Sequence, residues 1–177
     1  MKIGVDISQI AYGSKGIPNY LANLVKGMIR NDRVNKYILF FSSLRLSLSN
    51  SFLEEIDFPN VEVKIFHLPP TLLDLIWNKF HVFPIENLIG EVDIFITSDC
   101  LEPPTIKAKK AAIIYDLVIF KNPGVSVKRV IDMQKKRLEW AKEEASIFLC
   151  ISESTKKDAQ KILGLDEKKL RVIYPGI

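Results

Sequence analysis

The chain has 177 residues, 47% hydrophobic and 26% charged, with 25 Lys+Arg against 21 Asp+Glu and a formal net charge of +4. That length suits one compact domain, able to bury about two-thirds of its unfolded surface without staples, and excludes two full-sized domains. The two cysteines, Cys100 and Cys150, stand in no CxxC or Cys/His spacing, which excludes a disulfide framework and argues against zinc.

No apolar run approaches the roughly 20 residues of a bilayer span. Asp6 falls early and no long apolar core follows Met1, so the expectation is a chain without a signal peptide, in a reducing, cytoplasmic compartment.

In chain order, residues 2–7 read as a strand, followed by a glycine-bearing loop over 8–17. Pro18 then opens a helix, where its missing N–H does no harm. Tyr20, Leu21, Leu24, Val25, Met28 and Ile29 recur in that helix at helical spacing. Residues 37–41 form an unbroken apolar run of strand length. Residues 42–60 are polar and serine-rich, with one short helix expected over 52–56. Residues 61–66 make the third strand. Pro69-Pro70 stops it, and a strongly apolar stretch with Leu72, Leu73, Leu75, Ile76 and Phe80 follows, then Pro84 and a short helix to Ile89.

Two more buried strands are expected over 93–97 and 111–115. The longest helix spans 127–145, carried by Val127, Val130, Ile131, Gln134, Leu138, Ala141 and Ala145. A strand over 147–151, a helix over 153–163 capped by Gly164, and a last strand over 170–174 complete the pattern. Seven apolar strands alternating with helices predict an α/β doubly wound, mostly parallel, Rossmann-like sheet covered on both faces. Ligands of such sheets bind at the carboxyl ends of the strands, where strand order reverses.

The residues just after each strand are therefore the candidates. After the first come Gly13 and Gly16 and then a helix N-terminus, where backbone can approach an anion. Neither GxGxxG nor a P-loop is present. After the fourth come Ser98 and Asp99, which could meet a ligand or cap a turn. After the fifth come Tyr115 and Asp116; the acid could bind sugar hydroxyls, polarise a proton, or cap neighbouring N–H groups. After the sixth comes Ser152, and Thr155 with Asp158 has the spacing of a capping box. His67 and His81 lack carboxylate or thiol companions and read as structural, as do the two cysteines. No metal-ligand set is visible.

Charge is uneven. Residues 1–120 carry 12 Lys+Arg and 13 Asp+Glu, whereas 121–177 carry 13 and 8. The basic excess thus lies in the last third, where the helix over 126–145 carries Lys128, Arg129, Lys135, Lys136, Arg137 and Lys142. Such a run is either a wet helix face or a patch for anionic lipid headgroups, with the stretch around Trp77 as an apolar foothold. Glu139, Glu143 and Glu144 interrupt it, and no nucleic-acid reading motif appears, so nucleic acid is not the expected partner.

Taken in order, these segments resemble the N-terminal domain of group 1 glycosyltransferases of the GT-B fold. The resemblance spans nearly the whole chain. It is carried by Gly16-Ile17-Pro18-Asn19-Tyr20 after the first strand, by Asp93-Ile94-Phe95-Ile96 with Pro103-Pro104, and by Tyr115-Asp116-Leu117 with Pro123. The most specific part is Ile151-Ser152-Glu153-Ser154-Thr155-Lys156-Lys157-Asp158, followed by Gly164-Leu165 and Leu170-Arg171-Val172-Ile173-Tyr174-Pro175-Gly176-Ile177. Tyr115 stands where the family usually has a His near the reacting sugar, and Asn19 where it tends to have a base.

The resemblance implies an acceptor-side domain, residues 1–177, of a retaining hexosyltransferase. Its C-terminal nucleotide-sugar domain would lie outside this chain, and the fragment alone would be inactive. A nucleotide diphosphate sugar of mannosyl or glucosyl type would be the co-substrate, with no other cofactor. The acceptor would be a glycan, a polysaccharide of the cell envelope, or a lipid-linked sugar. Asp116 and Tyr115 would sit at the reacting centre, with Gly13, Gly16, Asn19, Ser98, Asp99 and Ser152 binding substrate. A stand-alone α/β ligand-binding module is the alternative reading, and a nucleic-acid-binding domain a third.

Overall fold

A computed structural model describes residues 1–122, 124 and 127–175; Pro123, Gly176 and Ile177 of the segments above, and the start of the basic helix at Ser126, lie outside the described residues. The strands are β1 (Lys2–Asp6), β2 (Lys36–Ser42), β3 (Val61–Phe66), β4 (Ile94–Thr97), β5 (Lys109–Ile114), β6 (Ala145–Cys150) and β7 (Leu170–Val172). The helices are α1 (Ile17–Asn31), α2 (Asn50–Glu55), α3 (Pro70–Leu73), α4 (Glu86–Ile89), α5 (Val118–Lys121), α6 (Lys128–Glu144) and α7 (Glu153–Leu163). A 3-10 segment, Ser8–Tyr12, precedes α1, and α3 runs on as a π-helical turn, Asp74–Lys79.

All seven strands are parallel, in the order β3-β2-β1-β4-β5-β6-β7. The expected doubly wound sheet is therefore present. The order reverses between β1 and β4, which makes the carboxyl ends of these two strands the crevice of the fold.

Residue alternation divides the core between the two faces. Leu39 and Phe41 of β2 pack in one cluster with Val5, Leu21, Val25, Ile29 and Phe52, under α1 and α2. Ile38 and Phe40 point the other way, to Trp77, Ile85, Ile89 and Phe95. A third cluster joins Ala112, Ile114 and Phe148 to Leu138 and Ala141 of α6 and Ala159 and Leu163 of α7. Each fully buried Val, Leu, Ile or Phe side chain among these stabilises the fold by about 1.5–3 kcal/mol. β1 and β4 approach closely at Gly4, where an added Cβ would fall 2.7 Å from Phe95 Cδ2.

Three local readings change. The last strand stops at Val172, and Ile173 leaves it while its N–H still bonds to the Cys150 carbonyl at 2.8 Å. The N-cap of α7 is Ser152 rather than Thr155: the Ser152 hydroxyl accepts the Thr155 N–H at 3.1 Å. Thr155 is buried, and its hydroxyl donates to the Tyr115 carbonyl at 3.1 Å, tying α7 to the end of β5. The third concerns the basic helix, whose charged residues do not all face water. Arg137 is only 2% exposed. The i, i+3 series Ile131, Gln134, Arg137 runs beside Leu138 and Ala141 on the inward stripe of α6.

Candidate functional site

β1 ends at Asp6, whose buried carboxylate accepts the Ser8 N–H at 2.9 Å. Burial pushes this carboxyl up to about 6, against the lowering effect of the Ser8 hydrogen bonds; the charge of Asp99 adds to the rise and that of Arg137 opposes it. Across the strand-order reversal, β4 ends at Thr97, then Ser98 and Asp99. Asp99 caps no turn, contrary to one expectation for it. Its Oδ1 accepts Gln134 Nε2 from α6 at 2.9 Å, and its Oδ2 accepts the Cys100 thiol at 2.9 Å. Burial first, then Asp99, raises the Cys100 thiol far above its ordinary range.

β5 delivers Tyr115 and Asp116. The Tyr115 ring meets Tyr20 of α1 edge-on at 5.6 Å between centroids. Its hydroxyl is buried and has no hydrogen-bond partner among the described residues. Burial, then the charge of Asp99, pushes its phenol well above the usual range, so it stays a neutral O–H donor. Asp116 is exposed; Oδ1 accepts the Val118 N–H at 3.0 Å, which leaves Oδ2 to face solvent or a ligand.

Two adjoining pockets form around these residues. One, about 200 Å³, lies between Asp99, Tyr115 and Asp116 on one side and Val130, Gln134 and Arg137 of α6 on the other. The second, about 390 Å³, is bounded by Gly16, Asn19, Tyr20, Asn23, Ile151 and Pro175. Both are walled by Ile17, Tyr115 and Asp116. Gly16 takes φ +64°, a left-handed conformation that a Cβ would strain although nothing stands within 4 Å of its place. It opens α1 with no side-chain cap and no acid in the first turn, so the positive end of that helix faces the second pocket uncompensated.

Five of the eight expected residues are thus brought together: Gly16, Asn19, Asp99, Tyr115 and Asp116. Gly13 is exposed and lines neither pocket. Ser98 is wholly buried, its hydroxyl without a partner among the described residues, and Ser152 is occupied as the cap of α7. A larger concavity, about 860 Å³, opens at the opposite, amino-terminal ends of β1, β2, β4 and β5, among Lys2, Lys36, Asp93 and Lys109. It lies away from the strand ends where this class of sheet binds ligands.

The residue that sequence reasoning missed is Arg137. Its Nη2 donates to the Ile113 carbonyl at 2.9 Å and its Nε lies 3.5 Å from Glu102 Oε2. Glu102, 0% exposed, also accepts the Thr97 hydroxyl at 2.8 Å and lies 3.4 Å from Lys110 Nζ. Lys110 in turn pairs with Glu144, and Glu144 with His81 at 2.7 Å. Alternating charges therefore run from the surface to the pocket wall. The signal was present: Arg137 sits three residues from Gln134, already counted on the apolar stripe. Among the described residues no group of three or more His, Cys, Asp or Glu gathers as a metal site would require, and no helix is long and apolar enough to cross a membrane.

No protein-family model and no curated protein sequence matches the chain. Among solved structures it is similar to the crystal structure of Anabaena Alr3699/HepE in complex with UDP, with a TM-score of 0.53 and 15% sequence identity. The match covers 99% of this chain and 44% of that one, so the chain spans less than half of HepE. At this identity the likeness establishes a shared fold.

Proposed function

We propose that the chain is the acceptor-side part of a glycosyltransferase that uses a nucleotide diphosphate sugar. The observation that carries this reading is the pair of joined pockets walled by Tyr115 and Asp116 at the carboxyl ends of the strands. They are the size of one or two sugar rings and set polar groups, Asp99, Asp116 and Gln134 in one and Asn19, Asn23 and Asp116 in the other, among apolar walls. The fold shared with a protein solved with UDP supports the nucleotide-sugar class.

In the proposed reaction the acceptor hydroxyl oxygen attacks the anomeric carbon of the donor. The bond from that carbon to the diphosphate oxygen breaks, the diphosphate leaves with the electron pair, and the hydroxyl proton passes to it. Configuration at the anomeric carbon is retained. Asp116 accepts a hydrogen bond from the acceptor through its free oxygen, and the Tyr115 side chain walls the pocket beside it. Asp99 lines the pocket beside them, and Gln134 lines the opposite wall on α6. The uncapped start of α1 at Gly16 lies toward the charge that builds on the leaving diphosphate. The donor is held by a second domain of a longer protein, and mannosyl or glucosyl donors with a glycan or lipid-linked acceptor fit this arrangement.

Saturation-transfer NMR on the 177-residue chain with a panel of methyl glycosides tests the reading. A hexoside should bind, and Asp116→Asn should weaken it by about tenfold or more, the loss of one hydrogen bond to a charged group. No nucleotide sugar should be turned over by this chain alone. Tight UDP binding with no glycoside binding would favour a stand-alone nucleotide-binding module instead.

A further inference from the structure

A second surface, away from the pockets, combines apolar and cationic groups in a way that the folding of the chain does not require. Phe80 is 60% exposed, Val82 53% and Phe83 47%, with Leu72 and Leu75 partly exposed beside them in sequence. The segment holding them is rigidly built. The Phe80 and Val82 N–H groups donate to the Leu75 and Ile76 carbonyls, each at 3.0 Å. Trp77 is buried, and its indole N–H donates to the Phe83 carbonyl at 2.9 Å; it anchors the segment from below and is not itself the apolar foothold. The His81 ring stacks on Trp140 at 3.8 Å. His81 and Phe83 take φ of 52° and 64°, a region that bulky residues enter only when their surroundings impose it.

A concavity of about 400 Å³ meets this segment at Lys79 and is lined further by Asp74, Lys128, Arg129, Asp132, Met133 and Lys136. Lys79 belongs to both sets, its ammonium 5.6 Å from the Phe80 ring. Four cations face two acids there, and Asp74 already accepts a hydrogen bond from Asn78 at 2.8 Å. None of the four cations has an ion-pair partner among the described residues. Lys128 and Arg129 also occupy the first turn of α6, which has no acid and no side-chain cap. Cations at the positive end of a helix oppose its dipole. Asp74 and Asp132 offset these charges only in part, so four cations against two acids leave the concavity net positive.

We propose that this face rests on an anionic lipid bilayer, an inference independent of the acceptor pocket. Phe80, Val82 and Phe83 enter the boundary between headgroups and acyl chains, and Lys79, Lys128, Arg129 and Lys136 meet lipid phosphates. The negative surface reverses the penalty at the start of α6 and accepts the apolar residues that water does not.

Co-sedimentation with vesicles tests it, comparing phosphatidylcholine alone with equal parts phosphatidylcholine and phosphatidylglycerol. The chain should sediment with the mixed vesicles only, and less so as salt rises. Each neutralised cation should cost roughly fivefold in partitioning, so Lys128→Gln with Arg129→Gln should lose about 25-fold. That variant should melt no lower than the wild type, because it relieves the helix end; lost binding is then not lost folding. Phe80→Ser with Phe83→Ser should weaken the binding that persists at high salt. Equal binding to neutral vesicles, unchanged binding by the Lys128/Arg129 variant, or binding through these residues to RNA and not to vesicles would overturn the proposal.

Discussion

Replacing Asp6 by Asn should make the chain more stable at neutral pH, although it removes a charged group that accepts a hydrogen bond. Asp6 is buried at the end of β1, and its carboxyl is raised from an ordinary 3.8 to about 6, chiefly by burial. The folded state therefore holds this proton more tightly than the unfolded chain does. Stability from this group is fully present below the unfolded value and is lost as pH rises through the folded one. A shift of about two units corresponds to about 3 kcal/mol. Asn is neutral at every pH and keeps an oxygen for the Ser8 N–H. In urea melts, the stability difference between Asp6→Asn and wild type should be small near about pH 4. It should grow by about 3 kcal/mol and level off above about pH 6. Carboxyl-carbon NMR should place the Asp6 midpoint near 6. A stability difference that does not change with pH, or a midpoint in the ordinary carboxylate range, would refute the argument.

The buried charge chain makes a second prediction. Arg137→Met leaves Glu102 buried with only Lys110 near it and should cost about 3–5 kcal/mol in thermal or urea unfolding, and adding Glu102→Gln should recover part of that loss. Ser152→Ala removes the cap of α7 and should cost about 1 kcal/mol, with hydrogen exchange rising first at the Thr155 amide. Gly4→Ala places a Cβ 2.7 Å from Phe95 Cδ2 and 3.1 Å from Ile89 Cδ1. It should destabilise by about 1–3 kcal/mol, and Phe95→Leu in the same chain should relieve it, as read in urea midpoints.

The sites that sequence reasoning located share a physical cause. Asp99, Tyr115, Asp116, Gly16 and Asn19 each follow a strand directly or open the helix after it, and in a parallel sheet every strand end of one polarity meets at one edge. Position along the chain therefore translates into position in the crevice. Gly13 shares that neighbourhood in sequence but lies on the exposed part of a long loop, where no strand dictates its direction. Ser98 is adjacent to Asp99, yet it is wholly buried just past the end of β4 and lines neither pocket. Ser152 lies at the right strand end, and its hydroxyl is taken by an unsatisfied N–H of α7.

What the sequence determined by itself was the framework: seven strands, their parallel sheet and the edge at which a site would form. Apolar runs of strand length, helical periodicity and the Gly and Pro stops are local signals, and local signals suffice to set element type and order. What only the tertiary structure decided was where long polar side chains go once elements pack. Arg137 and Lys110 lie in stretches rich in basic residues and look solvated in sequence, yet both are buried because Glu102, remote along the chain from Arg137, lies within ion-pair distance of each. Burial of a charge depends on a partner brought from elsewhere in the fold, and that partnership is fixed by packing rather than by spacing along the chain.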